Sequence, residues 1–574
     1  MIKKNLLIIL IVFLAAAIRL WGLDKFPAGL NADEAAIGYN DYSLLKSGLD
    51  EHGTSWPIVF RSFDDYKPAG YFYITLPFVA VLGLNIWAVR LPSALLGVLS
   101  VYFIYLLTNK LFPSLSSRVC SRDLEDSSTT VGMTNAGHKI TAGHLAALLL
   151  ALSPWHIHFS RGGWEANAAS VFMLIGLYFL FHSLENTKYF FLSTLAFILA
   201  LYTYHSLRVV IPLVFVCFIV IYLEQIKKLF SDSKEAKTIL TAVVVGGLLL
   251  VPLLLQFTST EGRSRFSGVS IFADTGPLWE ALELRREDDN TLYAKILHNR
   301  YATYSYRFAK NYLSHFSPRF LFITGDEISR NKVPGMGQLY LWTAPFLLLG
   351  ICFLIRRNDK NSKLIIAWLF ISPIAAALTF QSPHALRAQN MVYPLMIISA
   401  IGLFEFIILI SKIKINFILY TLYFLLITIS GYEAARYLHL YYVHYPSELS
   451  YAWQYGFDQI ASYVQANQDN YDHIIISDRY DQPYILMAFF MKLPPEELQK
   501  ATLTPRDKFG FSTVRDLGKM EFRQINYESD KNLTNTLIIS ADEPVDDSKV
   551  IHTVVDPGGK ILFKFLSTRP YNIL

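Results

Sequence analysis

Apolar residues run almost unbroken over Asn5 to Trp21, Pro92 to Phe112, Ile140 to Phe159, Asn167 to Leu184, Tyr189 to Tyr204, Val209 to Leu223 and Thr238 to Gln256. They do so again over Gln338 to Ile355, Leu364 to Phe380, Asn390 to Ile410 and Ile415 to Glu433. Roughly twenty apolar residues cross a bilayer as a helix, so the pattern predicts about eleven spans, several of them short. Tyr71 to Leu84 is an apolar run of only about 14 residues, the length of a re-entrant or in-plane helix in the first external loop rather than a span.

Charge between the runs orients them. Lys3 and Lys4 place the N-terminus in the cytoplasm, and the segment continues through Arg19 and Trp21, read as interfacial, so it is an uncleaved anchor rather than a signal peptide. Lys110, Arg118, Arg122 and Lys139 then fall on the cytoplasmic side. So do Lys188, Lys227, Lys228, Lys234, Lys237, Arg356, Arg357, Lys360, Lys363, Lys412 and Lys414. The opposite side receives Asp33-Glu34, Arg161 to Glu165, the long segment Thr258 to Gly337, and Ser382 to Arg387. Lysine clusters and chemically versatile side chains thus segregate to opposite faces.

After Glu433 the pattern changes. Ile474-Ile475-Ile476-Ser477 and Leu537-Ile538-Ile539-Ser540 read as strands, Tyr451 to Asn467 and Tyr484 to Met491 as helices, and Asp556-Pro557-Gly558-Gly559 as a hairpin turn between Ile551 to Val555 and Ile561 to Phe565. The expected organisation is a membrane body over 1–433 and an external α/β domain over 434–574. The tail holds no convincing acid, base or phosphate loop, and is expected to be accessory.

Composition agrees with a polytopic α-helical membrane protein: 53% of the 574 residues are apolar, 15% aromatic, and mean hydropathy is +0.33. The net charge of +5 is dispersed among topology signals and argues against a nucleic-acid partner. Three cysteines, Cys120, Cys217 and Cys352, form no disulfide framework or zinc-ligand spacing. The candidate chemistry lies just after the first span, where Asp33-Glu34 puts two adjacent carboxylates outside a membrane surface. A carboxylate there can accept the proton of an attacking hydroxyl while positive charge develops at a sugar's anomeric carbon.

Asp33-Glu34, Tyr66-Lys67-Pro68 before Tyr71-Phe72-Tyr73, Arg90-Leu91-Pro92-Ser93-Ala94, and Ser160-Arg161 followed by Glu165 together resemble the polyprenyl-phosphate-sugar-dependent glycosyltransferases of the GT-C fold. Protein O-mannosyltransferases and lipid A aminoarabinose transferases are the nearest kinds. The resemblance covers the first 260 residues or so and, more loosely, the spans to about residue 410. It implies a multi-pass cell-membrane enzyme with its site on the extracytoplasmic side, and a donor sugar, a mannose-like hexose, on a polyprenyl phosphate. The acceptor is a hydroxyl of a protein, lipid or glycan, and transfer inverts the anomeric centre. Asp33 would be the general base, with Glu34 as a second contact to acceptor or sugar. Lys67 would neutralise the departing phosphate, and Arg161, Glu165, His384 and Arg387 would contact substrate. No cofactor is required by this reading, and a divalent metal is left open. In aminoarabinose transferases a Glu precedes the Lys-Pro element; here it is Tyr66, which weakens a metal site at that point.

Each signal has a structural rival. Asp33-Glu34 suits a helix N-terminus, Lys67 suits a snorkelling interfacial lysine, and Arg387 suits a positioning anchor. A transporter of lipid-linked glycans or a polymer ligase would share the polytopic body. A transporter, however, places charges near the midplane on paired broken helices, and a ligase gives no reason for an acidic loop followed by Lys-Pro.

Overall fold

The computed structural model describes residues 2–117, 140–258, 268–507 and 511–569. Arg118, Cys120, Arg122 and Lys139 lie outside them. The chain divides into two compact units. One comprises Met1–Trp21, Ala94–Ser160 and Glu165–Leu438; the other comprises Gly22–Ser93, Arg161–Trp164 and His439–Leu574. The first external loop and the tail are therefore parts of one body, although the entire span region separates them in sequence.

The first unit is helical. Among the described residues, five helices are long and apolar enough to cross a membrane: Ile86–Leu111, Glu165–Ser183, Ser233–Gln256, Gln389–Ile410 and Asn416–Glu448. A sixth is counted if Leu207–Ile221 and Leu223–Ser231, bent by 76°, make one span. Several remaining apolar runs are shorter as helices because they break. The run from Ile140 to Phe159 splits at Ser153-Pro154 into Ala142–Leu152 and Pro154–Ser160, since proline has no N–H to continue the ladder.

That break explains Arg19, at the end of the first helix, α1 (Ile2–Leu20). The residue expected at the interface is fully buried. Its guanidinium donates to the carbonyls of Leu150 (3.1 Å) and Ala151 (3.0 Å), freed where the helix ends, and to His156 Nδ1 (2.8 Å), whose Nε2 meets Ser100 Oγ at 3.0 Å. A cation among apolar helices is tolerated because its hydrogen bonds replace those of water. Trp21, two residues on, is exposed as expected of an interfacial tryptophan.

The second unit contains helix α2 (Ala32–Ser47), a β1–β2 hairpin (Val59–Ser62, Asp65–Pro68), α3 (Gly70–Leu82) and the first turns of α4 (Ile86–Leu111). The tail adds helices α5 (Phe457–Asn467) and α6 (Pro483–Met491) and a six-stranded sheet in the order β4-β5-β3-β6-β8-β7. The strands are β3 (His473–Ile476), β4 (Asp516–Leu517), β5 (Met520–Phe522), β6 (Thr536–Ser540), β7 (Val550–Val555) and β8 (Ile561–Ser567). β3 pairs in parallel with β5 and β6, and the other pairings are antiparallel. The isoleucine runs of β3 and β6 are continuous because central strands are covered on both faces. At the β7–β8 turn, Asp556 Oδ1 accepts the N–H of Gly558 (2.8 Å) and Lys560 (2.9 Å). Little of α2 reaches solvent, since it packs against α3 and α6. A Cβ on Gly38 would approach Phe489 to 2.6 Å and Val89 to 2.7 Å.

Candidate active site

The two acids after the first helix have separate fates, set by the N-terminus of α2. Asn31 caps it: its Oδ1 accepts the N–H of Asp33 (2.9 Å) and Glu34 (3.1 Å). Glu34 completes the capping box by reaching back to the Asn31 N–H at 3.4 Å. The remaining lone pairs of Glu34 are also taken. Arg90, on α4, grips it with Nε to Oε1 at 2.8 Å and Nη2 to Oε2 at 2.9 Å, and the Gly163 N–H donates to Oε1 at 2.7 Å. Glu34 and Arg90 have no exposed surface. Both Glu34 oxygens are thus hydrogen-bonded within the protein, an arrangement suited to a buried clamp.

Arg90 and Arg161 fix the segment leading into the cap. Arg90 donates to the carbonyls of Leu23 (3.1 Å), Pro27 (3.0 Å) and Gly29 (2.6 Å), and Arg161 to those of Gly22 (3.2 Å) and Phe26 (3.0 Å). Arg161 is fully buried and lies over the rings of Tyr441 and Tyr442 at 5.4 and 5.3 Å. Its Nη2 is thus engaged with backbone carbonyls of the segment before α2. Gly29 sits at φ 90°, and a Cβ there would meet the Trp453 carbonyl at 2.4 Å, so only glycine fits.

Asp33 is the acid left facing outward. Its side chain is about a third exposed and forms an ion pair with Lys67, which is nearly buried at the end of the β1–β2 hairpin. Lys67 therefore does not snorkel; it is directed at the carboxylate, with the Phe63 ring 5.6 Å from its ammonium. Phe60, opposite Lys67 in the hairpin, stacks on Phe72 at 3.9 Å and ties the hairpin to α3.

The tail completes this frame with residues that carried no signal in the sequence. Gln454 Oε1 accepts the Ala32 N–H at 2.6 Å, a free donor of the α2 terminus, while its amide nitrogen donates to the carbonyls of Tyr480 and Asp481. Trp453 lies 5.5 Å from the Arg90 guanidinium and meets Trp164 edge-to-face. Two further buried acids stand nearby. Glu51 accepts from Asn40 (2.9 Å) and the Tyr484 hydroxyl (3.3 Å), and burial raises its carboxyl above the ordinary value. Asp41, fully buried on α2, is pushed well above the usual carboxylate range by the same loss of water, with no hydrogen-bond partner to its oxygens.

The other predicted residues belong to the helical unit. Glu165 opens the helix Glu165–Ser183 and is buried there. His384 is buried in a polar network with Asp326, whose oxygens accept from the N–H of Ile328 (2.9 Å) and Ala385 (2.6 Å) and from Asn331 Nδ2 (3.0 Å). The His384 N–H donates to His315 Nε2 at 3.1 Å. Burial lowers His315 to about 4, so its imidazole is uncharged at neutral pH, and burial raises Asp326 above the ordinary carboxylate value. Arg387 is half-buried and donates from Nη1 to Thr379 Oγ1 at 2.7 Å. No group of three or more His, Cys, Asp or Glu side chains is placed to hold a metal ion among the described residues.

No family model and no curated protein matches the sequence. Among solved structures the chain is similar to ArnT from Cupriavidus metallidurans bound to undecaprenyl phosphate, at 12% identity and TM-score 0.52 over 98% of each chain. The apo state of the same protein gives 12% identity and TM-score 0.50, over 98% of this chain and 97% of that one. An archaeal oligosaccharyltransferase, AglB from Archaeoglobus fulgidus in complex with an inhibitory peptide and a dolichol-phosphate, matches at 11% identity and TM-score 0.46, over 85% and 63%. The likeness to ArnT, a lipid A aminoarabinose transferase, shows that this chain has the GT-C fold of polytopic helical membrane proteins.

Proposed function

We propose that this chain is an inverting membrane glycosyltransferase that moves a sugar from a polyprenyl-phosphate donor to a hydroxyl acceptor at the extracytoplasmic face. The supporting observation is the Asp33–Lys67 pair: a part-exposed carboxylate and a nearly buried ammonium, beside a Glu34–Arg90 pair that is fully buried. Each has a role in displacement. The acceptor hydroxyl oxygen attacks the anomeric carbon, the bond from that carbon to the phosphate oxygen breaks, and its electron pair leaves on the polyprenyl phosphate. The hydroxyl proton passes to Asp33.

Pairing with Lys67 makes Asp33 a weak base before donor arrives. A donor phosphate within reach of Lys67 draws the ammonium to itself, leaving Asp33 with less compensating charge and a higher proton affinity. The base is thereby strengthened when a substrate is present to use it. Glu34, Arg90 and Arg161 hold the N-terminus of α2 and position Asp33. Glu165, His384 and Arg387 are proposed as substrate-binding residues. The sugar is proposed to be a mannose-like hexose and the acceptor a hydroxyl of a protein, lipid or glycan.

Purified protein incubated with labelled polyprenyl-phosphate sugars tests this. Transfer, or slow hydrolysis without acceptor, is expected. Passage of intact donor across proteoliposomes without bond cleavage would instead identify a transporter of lipid-linked glycans.

A further inference from the structure

Lys67 reaches Asp33 on a hairpin whose turn does not suit its sequence. β1 and β2 are joined by Phe63 and Asp64, both with positive φ, 58° and 62°. A two-residue hairpin of this kind needs left-handed backbone at both central positions, which Asn-Gly or Asp-Gly supply easily. Asp tolerates it. A bulky phenylalanine does not favour it, because its Cβ crowds the carbonyl oxygen. Contacts from outside the hairpin must therefore hold the turn.

They come from the tail segment around residues 503–507 and 511–514. The Ser512 N–H donates to the Phe63 carbonyl (3.2 Å), and Ser512 Oγ donates to Asp64 Oδ2 (2.6 Å). Arg506 Nε donates to the same oxygen (2.9 Å), while Arg61, on β1, takes Oδ1 (2.5 Å). The segment is braced in turn: Gln482 donates to the Ser512 carbonyl at 3.2 Å, and the Thr504 N–H to the Thr513 carbonyl at 2.8 Å. Burial opposes the charge of Asp64, but hydrogen bonds from Arg61, Ser512 and Arg506 outweigh it and hold its carboxyl down to about 2, so these contacts persist around neutral pH. Phe63 passes the constraint on. Its ring sits edge-on to Tyr484 at 6.1 Å and 5.6 Å from the Lys67 ammonium.

We infer that this part of the tail is a latch that sets Lys67 against Asp33, with Ser512 and Arg506 acting through Asp64 and Phe63 as positioning residues. The inference rests on the roles given above to Lys67 and Asp33, and it makes the tail a determinant of turnover although it supplies no reacting group.

The test is a cycle on the full chain. Ser512→Ala with Arg506→Ala is expected to lower kcat by up to about a hundredfold, the scale of a displaced catalytic group, with acceptor KM little changed. In a Lys67→Met background the same pair is expected to cost less than about twofold, because residues that act through one group are not additive. Phe63→Asn with Asp64→Gly gives a turn that holds its own shape and is expected to restore most of the lost kcat. Acetylation of Lys67, followed by mass spectrometry, reads the latch without turnover: the lysine is protected in the wild type and labelled in the double variant. Unchanged kcat and unchanged Lys67 labelling in the folded double variant would overturn the latch. An equal kcat loss in the Lys67→Met background would do so too, and if the double variant does not fold, Ser512→Ala alone is scored in the same way. A wild type that neither transfers nor hydrolyses any lipid-linked sugar would sink the glycosyltransferase reading instead, leaving the labelling to judge the latch.

Discussion

Glu34→Gln separates a buried clamp from a substrate contact. Glu34 and Arg90 are fully buried and share two hydrogen bonds at 2.8 and 2.9 Å. A glutamine keeps the shape but leaves the Arg90 charge without its counter-ion, and stranding one partner of a buried pair costs about 3–5 kcal/mol. For a unit of roughly two hundred residues, each kcal/mol shifts melting by about 2–4 °C, so the second unit should melt roughly 6–20 °C lower. Replacing both residues by apolar ones should not restore it. Arg90 also serves three carbonyls, and Glu34 serves the N–H groups of Asn31 and Gly163; each buried group left unpaired costs about 1–3 kcal/mol. Differential scanning fluorimetry of the purified protein, with donor hydrolysis measured below the melting point, is the assay. Unchanged melting with a collapse in turnover would refute the reasoning and return Glu34 to the substrate.

Asp33→Asn should leave melting nearly unchanged, because a part-exposed pair contributes about 1 kcal/mol or less, while turnover falls by about 10²–10⁴, measured with saturating donor. Asp41 gives a pH signature: its folded carboxyl titrates above the unfolded one, so its contribution is full below the unfolded value near 4 and is lost as pH rises toward the folded value. Asp41→Asn should flatten the decline in melting temperature above pH 4, and an identical slope in the variant would exclude this. Stopping the chain after Glu433 should abolish donor hydrolysis, since Gln454, Trp453 and Ser512 go with the tail; activity in such a truncation would show that the first loop holds its shape alone. With an impermeant thiol reagent on intact cells, Asp24→Cys should label and Lys234→Cys should not, the reverse pattern overturning the proposed orientation.

Local pattern carried much of this fold. The β3 and β6 isoleucine runs and the Asp556 turn were legible because strand burial and turn chemistry are short-range, whereas nothing local says that the tail shares a unit with the first loop. The spacing Asn31-Ala32-Asp33-Glu34 also contains a capping-box signal, which distinguishes the acid that bonds back to the cap from the one that pairs with Lys67. Gln454 and Ser512 were not legible, for their partners lie more than four hundred positions away and neither belongs to a periodic pattern. Arg19 was not legible: it reads as interfacial and Ile140 to Phe159 as one span, and nothing in the sequence says that this arginine would meet the carbonyls exposed where that run breaks. Arg90 and Arg161 were found through their motifs, yet a motif does not say whether an arginine faces substrate or backbone.

The discontinuous second unit also bears on how the chain is made. Gly22–Ser93 leaves the ribosome early, while its partners between His439 and Leu574 come last. At about 5–20 residues per second the loop waits on the order of half a minute. During that time the N-terminus of α2 lacks the Gln454 acceptor, and Phe63 lacks the support of Ser512. The geometry of the α2 terminus and of the hairpin turn is therefore withheld until residues 439–514 have been made. Pulse-labelled chains should show protease protection of the first loop only after those residues emerge.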